Sequence, residues 1–177
     1  KNGMPTISTN GIAAMMAAGR PGAEHEQLKF FVGEWTASAK MWMDPSQPAM
    51  ESTGKASFTM ELGGRVLVQR YEGSMPMGTF TGVGYTGYDN VTKRWWSNWM
   101  DDWMTGCMNY YGSFDAKTKT WETKTESFTC PMDGKPASAR NVMTITGKDT
   151  FTLTMYGTRE GEKEMKSGEI AYTRVKK

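Results

Sequence analysis

The side chains that most often carry chemistry are scarce in this chain. It has one histidine, His25, and two cysteines, Cys107 and Cys130. Three such groups cannot furnish a zinc finger or a three-histidine metal site. No Ser-His-acid or Cys-His arrangement is within reach, because His25 falls on a predicted helix and both cysteines fall on distant strands. A carboxylate pair for acid–base work could be drawn from Asp101 and Glu72, yet nothing in the sequence fixes their separation. No glycine-rich loop precedes a helix to cradle a phosphate. No strand carries a histidine to ligate haem. The reading leans away from an enzyme and assigns no catalytic residue, no metal and no cofactor.

Aromatic and thioether side chains remain, and they are abundant: 16 methionines and seven tryptophans in 177 residues. Four of the tryptophans lie in the run Trp95-Trp96-Ser97-Asn98-Trp99-Met100-Asp101-Asp102-Trp103. On a strand, alternation sends Trp95, Ser97, Trp99, Asp101 and Trp103 to one face and Trp96 to the other. An aspartate on an aromatic face is costly unless paired. Arg65, Arg70 and Arg140 are the candidate partners, and the pair acts either as a ligand anchor or as plain structure. Met41-x-Met43 and Met75-Pro76-Met77 also have the form of thioether sites for Cu(I), a softer alternative.

The elements that must position these residues are mostly strands. Residues 1–22 read as an arm, broken by Gly3, Pro5, Gly11, Gly19, Pro21 and Gly22 around the short apolar stretch Ile12 to Ala18. That stretch is expected to lie on the body as a turn or two of helix. Ala23 to Phe31 is the one convincing helix, with acidic residues in its first turn and Gly33 ending it. His25 is expected to be an exposed polar residue there. After Gly33 the apolar period changes to two: Trp35, Ala37, Ala39, Met41 and Met43 share one face, and Ala56, Phe58, Met60 and Leu62 share another. Gly63-Gly64 marks a tight turn between strands.

An internal repeat supports the same architecture. Gly87-Tyr88-Asp89, Thr92-Lys93 and Trp95 recur as Gly112, Phe114-Asp115, Thr118-Lys119 and Trp121, 26 residues on for every position after the glycine. That spacing matches two strands with their turns in an up-and-down meander. Pairing Phe114 with Lys119 in this meander offsets the two cysteines by about 13 Å, which predicts no disulfide. About ten strands follow one another without intervening helices, and closure into a barrel spares them long open edges. The fold class is therefore all-β: a ten-stranded antiparallel up-and-down barrel over residues 23–177, with one short N-terminal helix and the arm.

Several segments together resemble a known bacterial family. Leu28 to Trp35 resembles the helix-then-Gly-x-Trp opening of calycin barrels. Met41-Trp42-Met43-Asp44-Pro45, Gly64-Arg65, Tyr71-Glu72-Gly73, Gly87-Tyr88-Asp89-Asn90, Trp99-Met100-Asp101 and Glu169 to Arg174 resemble, in order, domain of unknown function 1579. The likeness implies a lipocalin-like barrel of a periplasmic or secreted protein and carries no established activity. It also implies that Arg174 covers Trp35 in a cation–π contact that closes one barrel end.

These observations favour a noncatalytic binding protein. Its barrel holds a small apolar or amphipathic ligand between Met41, Met43, Phe58, Met60, Tyr85 and Trp99, with Asp101 and Arg140 as the polar anchor. The alternative is an assembly protein with a filled barrel, whose residues 1–22 dock on a neighbouring subunit. The charge balance of 21 basic against 19 acidic residues is too even for nucleic acid. No apolar run reaches the 18 residues of a membrane-spanning helix.

Overall fold

The computed structural model of the chain describes residues 8–75 and 78–176. Two helical segments precede the sheet: α1 (Thr9–Ala18) and α2 (Ala23–Leu28), the second running on into a 3₁₀ turn at Lys29–Phe31. The strands are β1 (Gly33–Met41), β2 (Met50–Glu61), β3 (Val66–Met75), β4 (Gly78–Asp89), β5 (Arg94–Asp101), β6 (Met108–Asp115), β7 (Thr120–Thr125), β8 (Phe128–Thr129), β9 (Pro136–Gly147), β10 (Thr150–Arg159) and β11 (Met165–Arg174). Every pairing is antiparallel, and β11 returns to β1 with Arg174 opposite Trp35. The result is a closed ten-stranded up-and-down barrel, as the alternation predicts, with two-residue β8 a short addition beside β9.

Local turn chemistry explains the repeat. Asp89 accepts the Val91 N–H at 2.8 Å through its own carboxylate, and Asp115 accepts the Lys117 N–H at the same distance. Lys93 and Lys119, equivalent in the repeat, both turn left-handed, with φ of 56° and 53°. The 26-residue period is thus one hairpin tip used twice. Leu62, Gly63 and Gly64 are all left-handed too, which reverses the chain from β2 into β3 and suits glycine at two of the three positions.

The β6–β7 register differs by two residues from the sequence expectation. Phe114 faces Trp121 and Asp115 faces Thr120, so four residues rather than two form the tip. The two cysteines are free, Cys107 exposed and Cys130 buried.

One end of the barrel is plugged. The 3₁₀ turn carries Phe31 into it, and Phe31, Trp35, Phe58, Trp95, Trp121, Phe151 and Tyr172 form the buried core. Phe151 stacks on Tyr172 with ring centroids 4.3 Å apart, and Trp35 meets the same Phe151 ring edge-on at 4.7 Å. Trp35 donates its indole N–H to the Phe31 carbonyl at 2.7 Å. Arg174 lies over Trp35 at 4.1 Å, the contact implied by the resemblance, and donates to the Val32 and Phe30 carbonyls. It thereby satisfies acceptors that the end of the helical segment leaves open.

Two expectations near the N-terminus are corrected. His25 is 4% exposed rather than a surface residue. Its Nδ1 accepts the Gly22 N–H, and its ring meets Tyr88 edge-on, because the first turn of α2 faces the barrel. Helix α1 forms, but none of its residues is buried. Its last residue and the chain just beyond it are tied down instead: Asn90 donates to the carbonyls of Ala18 and Arg20, and Arg65 donates to that of Gly19.

Candidate functional site

Inward positions change character halfway along the strands. On β1, Trp35 and Ala37 belong to the packed core, while Ala39 and Met41 border open space. On β11, Tyr172 separates the core from a wall continued by Ile170. The space is a cavity of about 350 Å³ in the half of the barrel away from α2. Trp103, at the far rim beyond β5, is 42% exposed, whereas Trp95 at the plugged end of that strand is 4% exposed. The cavity therefore opens at the end away from the helix.

The wall is mainly aromatic and thioether. Trp99 lies flat over Gly82 and Gly84 of β4, where a Cβ at Gly82 would run into the indole. Phe80 stacks beside Trp99 with centroids 6.4 Å apart and meets Trp103 edge-on at 5.1 Å. Tyr71 crosses Gly54 in the same way, with its Oη 2.5 Å from where a Cβ would stand. Glycines at these positions thus admit two large rings, and Phe80 lies between them on the same stretch of wall.

Polar groups in the wall are few and mostly tied to one another. Gln69 donates to the Tyr172 hydroxyl at 3.3 Å. Burial pushes the Tyr172 phenol far above its ordinary value, with Tyr71 nearby adding to the shift and the Gln69 bond opposing it. Burial likewise raises Tyr110, against a hydrogen bond to Asn141 and together with the charge of Asp101. Asp101 accepts the Trp99 indole N–H at 2.9 Å on Oδ2, and the backbone N–H groups of Trp103 and Met104 at 3.1 and 3.0 Å on Oδ1. Trp121, which also borders the cavity, has an indole N–H with no hydrogen-bond partner in the structure.

Of the residues proposed from sequence, the structure brings Met41, Trp99 and Asp101 together in the cavity wall. Phe58 is buried in the packed half, and Met60 packs against that same core. Met43 is 62% exposed, because β1 ends at Met41 and alternation ends with it. Tyr85 alternates with Gly84 and Thr86, which border the cavity, and so occupies the outer face. Arg140 is also outside. Its guanidinium bonds both carboxylate oxygens of Glu164, at 2.9 and 2.7 Å, and stacks on Tyr156 at 4.0 Å. The expected Asp101–Arg140 anchor is replaced by hydrogen bonds from Trp99 and the following backbone.

Among the residues missed were Gln69, Tyr71, Phe80, Tyr110, Trp121, Asn141, Met143, Leu153, Met155 and Ile170. For those on β9, β10 and β11 the signal is alternation, since Asn141 and Met143, Leu153 and Met155, and Ile170 and Tyr172 recur at every second position. Nothing in the sequence said which stretch of each strand lies above the plug.

Fold and site together define a calycin-like barrel, plugged at one end and hollow at the other. The chain belongs to the family described as "Protein of unknown function (DUF1579)", whose model matches residues 20–174. No curated protein matches it. Among solved structures it is similar to Rv2717c from M. tuberculosis, at 13% identity and a TM-score of 0.65 over 89% of this chain and 100% of that one. It is also similar to the S-type phycobiliprotein lyase CPES from Guillardia theta, at 11% identity and a TM-score of 0.59 over 89% of this chain and 99% of that one. At such identities the likeness concerns the fold alone.

Proposed function

We propose that the protein is a noncatalytic binding protein that holds one small apolar or amphipathic molecule in the open half of its barrel. The observation that carries this reading is the aromatic and methionine-lined cavity of about 350 Å³. That is within the range of about 300–1,000 Å³ typical of small-molecule sites. Methionine suits such a wall because its unbranched, polarizable side chain adapts to irregular apolar shapes. The indole N–H of Trp121 offers a buried donor for an acceptor on the ligand.

Native mass spectrometry of protein isolated from its own host tests the reading. One extra mass per barrel supports it. A bare barrel whose tryptophan fluorescence shows no saturable change across a broad lipid and aromatic panel removes it. We further propose that this binding protein works in the periplasm or outside the cell, a reading that rests on the family resemblance alone and that fractionation of the host checks.

A second reading, assembly through the arm, has one observation in its favour. Helix α1 leaves Ile12, Met15 and Met16 exposed, at 44%, 64% and 58%. Deleting residues 1–22 is then expected to lower the molar mass in solution to that of a single chain.

A further inference from the structure

We propose that the ligand is cationic: an amphipathic amine or quaternary ammonium whose charged head sits beside Asp101. The proposal rests on the binding reading above and deepens it by fixing the sign of the head group. Among the described residues that border the cavity, Asp101 carries a charge and no lysine, arginine or histidine accompanies it. None of the charged partners the sequence offered borders the cavity. Arg140 is held outside by Glu164, Arg65 is held at the plugged end by Gly19 and Leu62, and Arg70 is exposed in a separate open groove that it and Lys55 share with Asp101.

The setting of the carboxylate is specific. The Trp99 indole lies on the inner face over Gly82, so the bond from its Nε1 brings Oδ2 of Asp101 to the cavity side. The three donors that Asp101 accepts leave part of its acceptor capacity unused, since an ionised carboxylate offers about four lone-pair sites. Around it stand the faces and edges of Trp99, Phe80 and Trp103. Aromatic rings attract a cation through the negative potential of their faces, and a nearby carboxylate adds a direct Coulomb attraction. The same carboxylate repels an anionic head such as that of a fatty acid, and among the described residues of the wall no basic side chain compensates.

The test uses three rigid probes of one shape and different charge: 2-naphthylmethylamine, 2-naphthylmethanol and 2-naphthoate. Each is titrated calorimetrically into the full chain. The expected result is one site per barrel, with the amine bound about 10-fold or more tighter than the alcohol, and the naphthoate weakest. In Asp101→Asn, which keeps an oxygen for the Trp99 N–H, the amine should fall to the affinity of the alcohol while the alcohol itself is unchanged. Equal binding of all three probes, or tightest binding of the naphthoate, overturns the proposal and leaves the binding reading intact. A preference for the amine that persists in Asp101→Asn overturns the assignment to this residue. Failure of every probe, together with a bare barrel from the host, removes both. Should Asp101→Asn fail to fold, the charge series on the unaltered chain decides alone.

Discussion

At the helix-capped end of the barrel, inward side chains are large, rigid rings packed ring on ring: Phe31, Trp35, Phe58, Phe151 and Tyr172 are each at most 4% exposed. Towards the opposite end the inward and rim positions go to Met41, Met75, Met104, Met132, Met155 and Met165, with Trp103 and Phe80 among them. Several are well exposed, Met104 at 49% and Met132 at 58%. Both ends are apolar, yet one is filled and the other is hollow. Rings of fixed shape interlock and exclude space, whereas thioether chains can line a space and move with its contents. The difference teaches that hydrophobicity alone does not locate a site: rings interlocked on rings fill one half, while rings interspersed with thioether chains line the other.

The largest effect should come from cutting into the plug. Phe31→Ala removes a ring that touches Phe58, Trp121 and Phe151, and is expected to cost about 3–5 kcal/mol in chemical denaturation. Met43→Ala at the rim should cost less than about 0.5 kcal/mol. Comparable losses at the two sites would erase the contrast between the ends. Gly82→Ala sharpens it from the open side. Its new methyl must displace the Trp99 indole, at an expected cost of about 1–3 kcal/mol, and the indole then intrudes on the cavity. Native mass spectrometry should find the bound mass lost in that variant, and retained ligand would show that Trp99 does not shape the site.

Alkaline titration probes the boundary between the two ends. Burial raises the phenols of Tyr71, Tyr110 and Tyr172, so the folded chain keeps its protons longer than the unfolded chain does. Their contribution to stability is complete below the unfolded value of about 10 and is lost as pH rises above it. Denaturation midpoints should therefore fall above about pH 10, with tyrosinate absorbance rising alongside unfolding. A midpoint that is flat to pH 12 would contradict the burial of these phenols.

The outer face should show a small effect as well. Arg140→Ala should leave ligand binding unchanged and cost no more than about 1 kcal/mol, since its partner Glu164 is 40% exposed. The Arg140 guanidinium holds the Glu164 carboxyl below its ordinary value. Its contribution is thus present above about pH 4.3 and disappears as pH falls through the lowered value. The stability gap between the unaltered chain and Arg140→Ala should shrink on acidification from pH 6 to pH 3. Loss of binding in this variant would restore Arg140 to the site.

Much of the fold was legible because strand alternation and turn residues act locally. The period of two after Gly33 defined the first strands, and the Asp and Lys of the repeat defined two hairpin tips that close as their chemistry requires. The site was less legible. Met41, Trp99 and Asp101 followed from which face of a strand they occupy, but Met43 failed where its strand stopped and Tyr85 where its parity was misjudged. Arg140 failed because sequence gives no distance between a charge on β5 and one on β9, and the outer face held a better partner in Glu164.

What the amino-acid order determined by itself is therefore the closed antiparallel barrel, the helix that enters it and the face of most inward residues, because backbone period and turn chemistry need only near neighbours. The tertiary structure alone decided how high the aromatic plug reaches, that Gly82 and Gly54 make room for Trp99 and Tyr71, and that among the described residues bordering the cavity Asp101 stands without a basic side chain. Those outcomes depend on side chains from many strands meeting across the barrel axis, where distance in the chain carries no information about distance in space.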